Sequence, residues 1–183
     1  KEYQGITLIE NPYYATCNNI SSLYVARKYL ENAIILDGDQ IICNERILIS
    51  EFCRSGYNSV WTFEETDEWL QTVKDGIVTA CSRVGGGCGW QLYSISRWTA
   101  EDGRKLKKHL ELEFEQKHNT QIYWDDIVMF CHSQEYQLGI FEMQPDDVIE
   151  IDSLEELISI DNNYVKYREK GLEKKKKNVN KLI

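Results

Sequence analysis

No apolar run among these 183 residues approaches the length of about 20 that a helix needs to cross a bilayer. No signal-peptide-like apolar stretch opens the chain either, so membrane insertion is not expected. Basic residues are in deficit, with 21 Lys and Arg against 30 Asp and Glu, a formal net charge of −9. Nucleic-acid backbones are gripped through Lys and Arg, so nucleic acid is a poor partner and a metal or cationic ligand a better one. Zinc-type cysteine spacing is also missing. Cys17, Cys43, Cys53, Cys81, Cys88 and Cys131 are scattered, with no C-x-x-C and no Cys/His pairing. They read as the reduced thiols of a cytoplasmic protein without structural zinc. The single Gly-rich stretch, Val84-Gly85-Gly86-Gly87-Cys88-Gly89, lacks both the G-K-[ST] ending of a P-loop and the spacing of a dinucleotide fingerprint. It reads as a mobile surface loop. No internal repeat occurs.

What is present belongs to a globular α/β protein. The apolar fraction is 42% and there are five Trp residues, enough for one domain with a substantial core. Gly5 to Glu10 reads as a strand that stops at Asn11-Pro12. Asn18 or Asn19 caps a helix running to about Leu30. The segment Ala33-Ile34-Ile35-Leu36-Asp37-Gly38-Asp39-Gln40 then reads as a strand covered on both faces and ending in acid. This strand–helix–strand order predicts a parallel βαβ unit. Two carboxylates held by a Gly beyond a strand's carboxyl end can grip a divalent cation, and Asp-Gly is equally a common turn.

Farther along, Glu45 to Arg54 allows a short helix and Tyr57 to Phe63 a strand. Trp69 to Arg83 reads as a hairpin turning at Asp75-Gly76, and Trp90 to Trp98 as another strand. Thr99 caps a long helix to about Lys117 despite Gly103, with Glu101 and Asp102 suiting its first turn. Asp125 to Cys131 predicts a shorter helix and Val148 to Ile151 a final strand. Ser153-Leu154-Glu155-Glu156 fits a capping box for a helix that fades by Asp161. Residues 161–183 read as a polar basic tail containing Glu173-Lys174-Lys175-Lys176-Lys177, a solvated end.

Asn11-Pro12-Tyr13-Tyr14, Asn18-Asn19-Ile20-Ser21-Ser22-Leu23-Tyr24 and Asp37-Gly38-Asp39 together resemble bacterial CTP:phosphocholine cytidylyltransferases. The likeness continues at Glu68-Trp69, Ile122-Tyr123-Trp124-Asp125 and Ile149-Glu150-Ile151-Asp152, in register from about residue 5 to residue 160. It implies a Rossmann-like, mixed, mainly parallel sheet flanked by helices over residues 1–160. That nucleotidyltransferase domain is expected to be partial, because the family's opening Gly-x-Gly-x-Arg…Pro-Lys segment has no match here.

The implied reaction transfers a cytidylyl group from CTP to phosphocholine, giving CDP-choline and pyrophosphate. Asp39 matches a Mg²⁺ ligand and Asp125 its partner, with no protein nucleophile expected. This agrees with the absence of any Ser-His or Cys-His arrangement, and His109, His118 and His132 are given no catalytic role. Trp69 and Tyr123 match an aromatic cage for choline, and Glu150 an acid that helps it. Asn19 and Ser22 fall where the nucleotide is met, although Asn18 or Asn19 as a simple cap explains the same residue types. Trp61, Trp90, Trp98 and Trp124 are expected in the core. The alternatives are the same chemistry on 2-aminoethylphosphonate or another amino-alkyl phosphate, and an inactive remnant or binding module. A further domain or self-association is compatible with each.

Overall fold

The computed structural model describes residues 4–168, so the basic run Glu173–Lys177 and the frayed end expected there lie outside the described residues. The described chain forms two units, one of residues 4–37 and 45–145, the other of residues 38–44 and 146–168.

In the first unit, residues 6–11 form no strand, and their apolar side chains face solvent, Leu8 at 92%. An extended segment becomes a strand only beside a partner, and no described strand pairs with this one. The expected parallel βαβ unit is therefore corrected. Helix α1 (Ile20–Ala26) leads into a short 3₁₀ turn and then strand β1 (Ala33–Ile35). Strand β2 (Gln40–Ile42) belongs to the second unit. The expected helix at Glu45 to Arg54 shrinks to one 3₁₀ turn, Glu45–Leu48.

β3 (Gly56–Thr62), β4 (Leu70–Lys74), β5 (Ile77–Ser82), β6 (Gly89–Trp98) and β7 (Gly139–Glu142) make a sheet in the order β5-β4-β6-β3-β7. β1 adds antiparallel to the far end of β6, Ala33 opposite Trp98. The sheet is mixed, and its one parallel pairing among the described strands is β3 with β7, so its antiparallel share exceeds the expected one. The β4–β5 hairpin turns where expected. Asp75 (φ 52°) and Gly76 (φ 75°) both take the left-handed conformation that a two-residue turn matched to strand twist requires.

Helix α2 (Ala100–Glu111) starts at Thr99, whose hydroxyl accepts a 3.2 Å bond from the Asp102 amide. It buries Leu106 and Leu110 completely in a core shared with Ile20, Tyr57, Trp98, Trp124 and Ile127. Gly103 lets the helix approach closely, since a Cβ there would lie 2.1 Å from the Leu30 carbonyl oxygen. α2 continues as a π-helical turn, Leu112–Gln116, and a second π-helical turn spans Ile127–Cys131. Trp98 and Trp124 are core residues as expected. Trp61 is not: it is 40% exposed, at the edge of Trp90 and Phe63. A strand's alternating faces allow this where one face of the sheet is uncovered.

In the second unit, β2 pairs antiparallel with β8 (Val148–Glu150), Gln40 opposite Glu150. Helix α3 (Leu154–Ile160) follows, with both halves of the capping box formed between Ser153 and Glu156.

Candidate active site

The residues expected at the site divide between the two units. In the second, Asp39 immediately precedes β2 and Glu150 ends β8, and the Ile151 amide donates to the Asp39 carbonyl at 2.9 Å. This pairing brings Asp39, Glu150 and Asp152 together, with one carboxylate oxygen of each within 4.8 Å of the others and all three residues exposed. The Glu156 carboxylate accepts from the Asp152 amide at 2.8 Å, which fixes the backbone where the strand becomes the helix cap. Asp152 has no expected role from the sequence beyond its place in the Ile149-Glu150-Ile151-Asp152 motif. The signal that could have found it is its place two residues beyond Glu150, on the same strand exit.

In the first unit, Trp69 and Tyr123 meet edge to face, with ring centroids 5.9 Å apart and planes at 87°. Trp69 precedes β4 and is held by its carbonyl, which accepts from the Leu92 amide at 2.8 Å. Tyr123 opens the turn before Ile127–Cys131, where its amide donates to Asp126 Oδ2 at 2.9 Å. Three unexpected residues complete the cluster. Phe130 lies 5.5 Å from Trp69. The Arg83 guanidinium sits 3.7 Å over the Phe130 ring and 5.8 Å from that of Trp69. Buried Asp126 pairs with Arg83, accepting from Nε at 2.8 Å and from the terminal nitrogen. The aromatic faces thus already hold a cation, which shows that they can. Residues 123, 126 and 130 share one face at helical spacing, whereas no sequence period ties Arg83 to them.

Asp125 belongs to the first unit and is buried. Burial, first of all, pushes its carboxyl up to about 7, with the Tyr57 hydroxyl drawing it down and the charge of Asp37 adding to the rise. The Tyr57 hydroxyl and Asp125 Oδ1 are both buried without a well-aligned hydrogen bond. The native state thus keeps a proton that the unfolded chain, with a carboxyl near 3.8, releases as pH rises. The stability difference between wild type and Asp125→Asn is expected to move against the wild type from about pH 4 to about pH 7 and to level off above. Urea unfolding of both proteins across that range measures it, and parallel pH profiles would refute it.

Asn19 and Ser22 have structural partners. Asn19 makes no side-chain cap; its Oδ1 accepts from the Trp124 amide at 2.9 Å and so ties the α1 start to the Tyr123 segment. Ser22 Oγ accepts from Asn11 Nδ2 at 3.1 Å. The Gly-rich loop is tethered, since Thr66 and Gly86 exchange backbone bonds of 3.1 and 3.0 Å.

No family model matches the chain. It is similar to a 2-aminoethylphosphonate cytidylyltransferase of Lancefieldella rimae, 29% identical over 90% of this chain and 68% of that protein. It is also similar to a choline-phosphate cytidylyltransferase of Streptococcus pneumoniae, 27% identical over 85% of this chain and 67% of that protein. The solved structure of a CTP:phosphocholine cytidylyltransferase from S. pneumoniae superposes with a TM-score of 0.76 at 26% identity, covering 86% of this chain and 68% of the other. Fold and relatives together define an enzyme of the nucleotidyltransferase class. Within that class its relatives are the cytidylyltransferases just described, and it spans about two thirds of their length. Among the described residues, no helix is long and apolar enough to cross a membrane.

Proposed function

We propose that this chain serves cytidylyl transfer from CTP to phosphocholine. The observation that carries this reading is the perpendicular Trp69–Tyr123 pair, 5.9 Å apart, in a fold shared with a CTP:phosphocholine cytidylyltransferase. A quaternary ammonium donates no hydrogen bonds and is held by aromatic faces. Asp126, already paired with Arg83 and the Tyr123 amide, holds the Tyr123 segment in place rather than facing the cation itself.

The oxygen set for Mg²⁺ is assigned to Asp39, Glu150 and Asp152, whose clustered carboxylates are the hard donors this ion takes. This reading takes Asp152 in place of Asp125 as the partner of Asp39, and moves Glu150 from the choline cage to the cation. Three oxygens within 4.8 Å suit one cation, whereas burial drives the Asp125 carboxyl toward its neutral form. A Mg²⁺ bound there would neutralise phosphate oxygens and so favour approach of two anionic reactants. The chain's own residues position the acceptor, and no protein nucleophile is required.

The alternative acceptor is 2-aminoethylphosphonate, favoured by the 29% identity to an enzyme named for it over 90% of the chain. The test is pyrophosphate release from CTP with phosphocholine, phosphoethanolamine or 2-aminoethylphosphonate. Phosphocholine is expected to turn over fastest, and Trp69→Ala to raise its KM by about 2–30-fold, the worth of one cation–π contact. A strong preference for either primary amine, with KM indifferent to Trp69→Ala, would transfer the assignment to the amine.

A further inference from the structure

His109 ends α2 and His132 closes the turn Ile127–Cys131, so two π-helical segments bracket one pair of imidazoles. Such segments are frequent at functional sites because each re-aims side chains by one position. The two rings are parallel, 5° apart in plane and 3.9 Å between centroids, and both are largely buried. The half-exposed Glu135 carboxylate faces them, 3.3 Å from His109 Nε2 and 3.4 Å from His132 Nδ1. All of these residues lie in the first unit and none belongs to the site described above.

We propose that His109 Nε2, His132 Nδ1 and the Glu135 carboxylate form a site for a transition-metal ion of the Zn²⁺ type. The chemistry of the donors comes first. Two imidazoles and one carboxylate suit Zn²⁺, whereas Mg²⁺ prefers oxygen alone. Spacing is the second argument. One ligand atom from each of the three residues lies within 4.8 Å of the other two, with Glu135 Oε2 3.3 Å from His109 Nε2 and Oε1 3.4 Å from His132 Nδ1, close enough for one ion to gather them.

The third argument is the outer partners. Glu113 accepts only, so His132 Nε2 donates to it at 2.8 Å, and Nδ1 is the ring nitrogen that faces Glu135. Glu113 is itself fixed by Lys117 at 2.6 Å and by Asn119. This is the carboxylate–histidine arrangement that orients metal-bound imidazoles. The Tyr136 hydroxyl, 2.7 Å from His109 Nδ1, gives the other ring its outer partner. A Zn²⁺ bound here would be held by both imidazoles and the Glu135 carboxylate, whose exposed side would leave room for water as a further ligand. Three protein ligands and an open position are the pattern of reactive rather than purely structural zinc.

The test is calorimetric titration of the chelator-treated protein with ZnCl₂, alongside ¹⁵N NMR of the imidazoles. One equivalent is expected to bind, shifting His109 Nε2 and His132 Nδ1. Tyr136→Phe is expected to weaken binding about 10–100-fold as the loss of an outer partner does, and Glu135→Gln by more than that. Asp152→Asn and Cys131→Ser are expected to leave it unchanged, with circular dichroism confirming that each variant is folded. The site is overturned if wild type binds no zinc, if Glu135→Gln binds as wild type does, or if binding disappears in Asp152→Asn or Cys131→Ser instead. None of these outcomes depends on the acceptor assignment.

Discussion

Asp39→Asn and Asp152→Asn are each expected to cut CTP-dependent pyrophosphate release by at least about 100-fold. A cation clamp supplies several kcal/mol of transition-state stabilisation, and every 1.36 kcal/mol is tenfold in rate. If both acids hold one ion, the double variant should be little worse than either single, because groups acting as a unit lose their effect together. The Mg²⁺ concentration needed for half-maximal rate should rise in any variant that retains activity. In Asp125→Asn it should stay where it is. An Asp152→Asn enzyme with wild-type activity, beside an Asp125→Asn enzyme with altered Mg²⁺ dependence, would return the pairing to Asp39 and Asp125.

Gly103→Ala is expected to destabilise the fold, against the usual sign for its position. In an exposed helix interior, Ala is favoured over Gly by about 1 kcal/mol. Here the new Cβ would lie 2.1 Å from the oxygen and 2.6 Å from the carbon of the Leu30 carbonyl. Backbone yields far less readily than a side-chain tip, so α2 must lift from its seat. That loosens the burial of Leu106 and Leu110, both fully covered in wild type. Overpacking of this kind costs about 1–3 kcal/mol, and the backbone contact puts this case at the upper end. The melting temperature of a chain of this size falls by about 2–4 °C per kcal/mol, so thermal unfolding by circular dichroism reads the effect directly. A melting temperature equal to or above that of wild type would show that α2 has room to spare.

Local chemistry was legible in the sequence where a few neighbouring residues suffice. The Asp75-Gly76 hairpin turn, the Thr99 cap and the Ser153/Glu156 capping box all sit where their residue types place them. Trp69 and Tyr123 meet edge to face. The misses are long-range. Ile6, Leu8 and Ile9 have the composition of a strand, but composition says nothing of whether a partner strand stands beside them. β1 has the apolar run of a parallel-sheet strand and pairs antiparallel with β6. The companions of Trp69, namely Arg83 from the end of the β4–β5 hairpin and Asp126 and Phe130 from one helical turn, come from two segments whose meeting only the fold decides. His109 and His132 fit no zinc spacing because a π-helical turn, not a sequence period, brings their rings into register.

The β2–β8 pairing has a consequence for the order in which the protein is made. Gln40 meets Glu150 about 110 positions along the chain, and closing so long a loop costs about 4 kcal/mol of entropy before any contact repays it. Asp39 therefore waits for most of the polypeptide to be synthesised before Glu150 and Asp152 exist. A cation settling among Asp39, Glu150 and Asp152 would then fasten the two ends of that loop, as a clasp closes a bracelet.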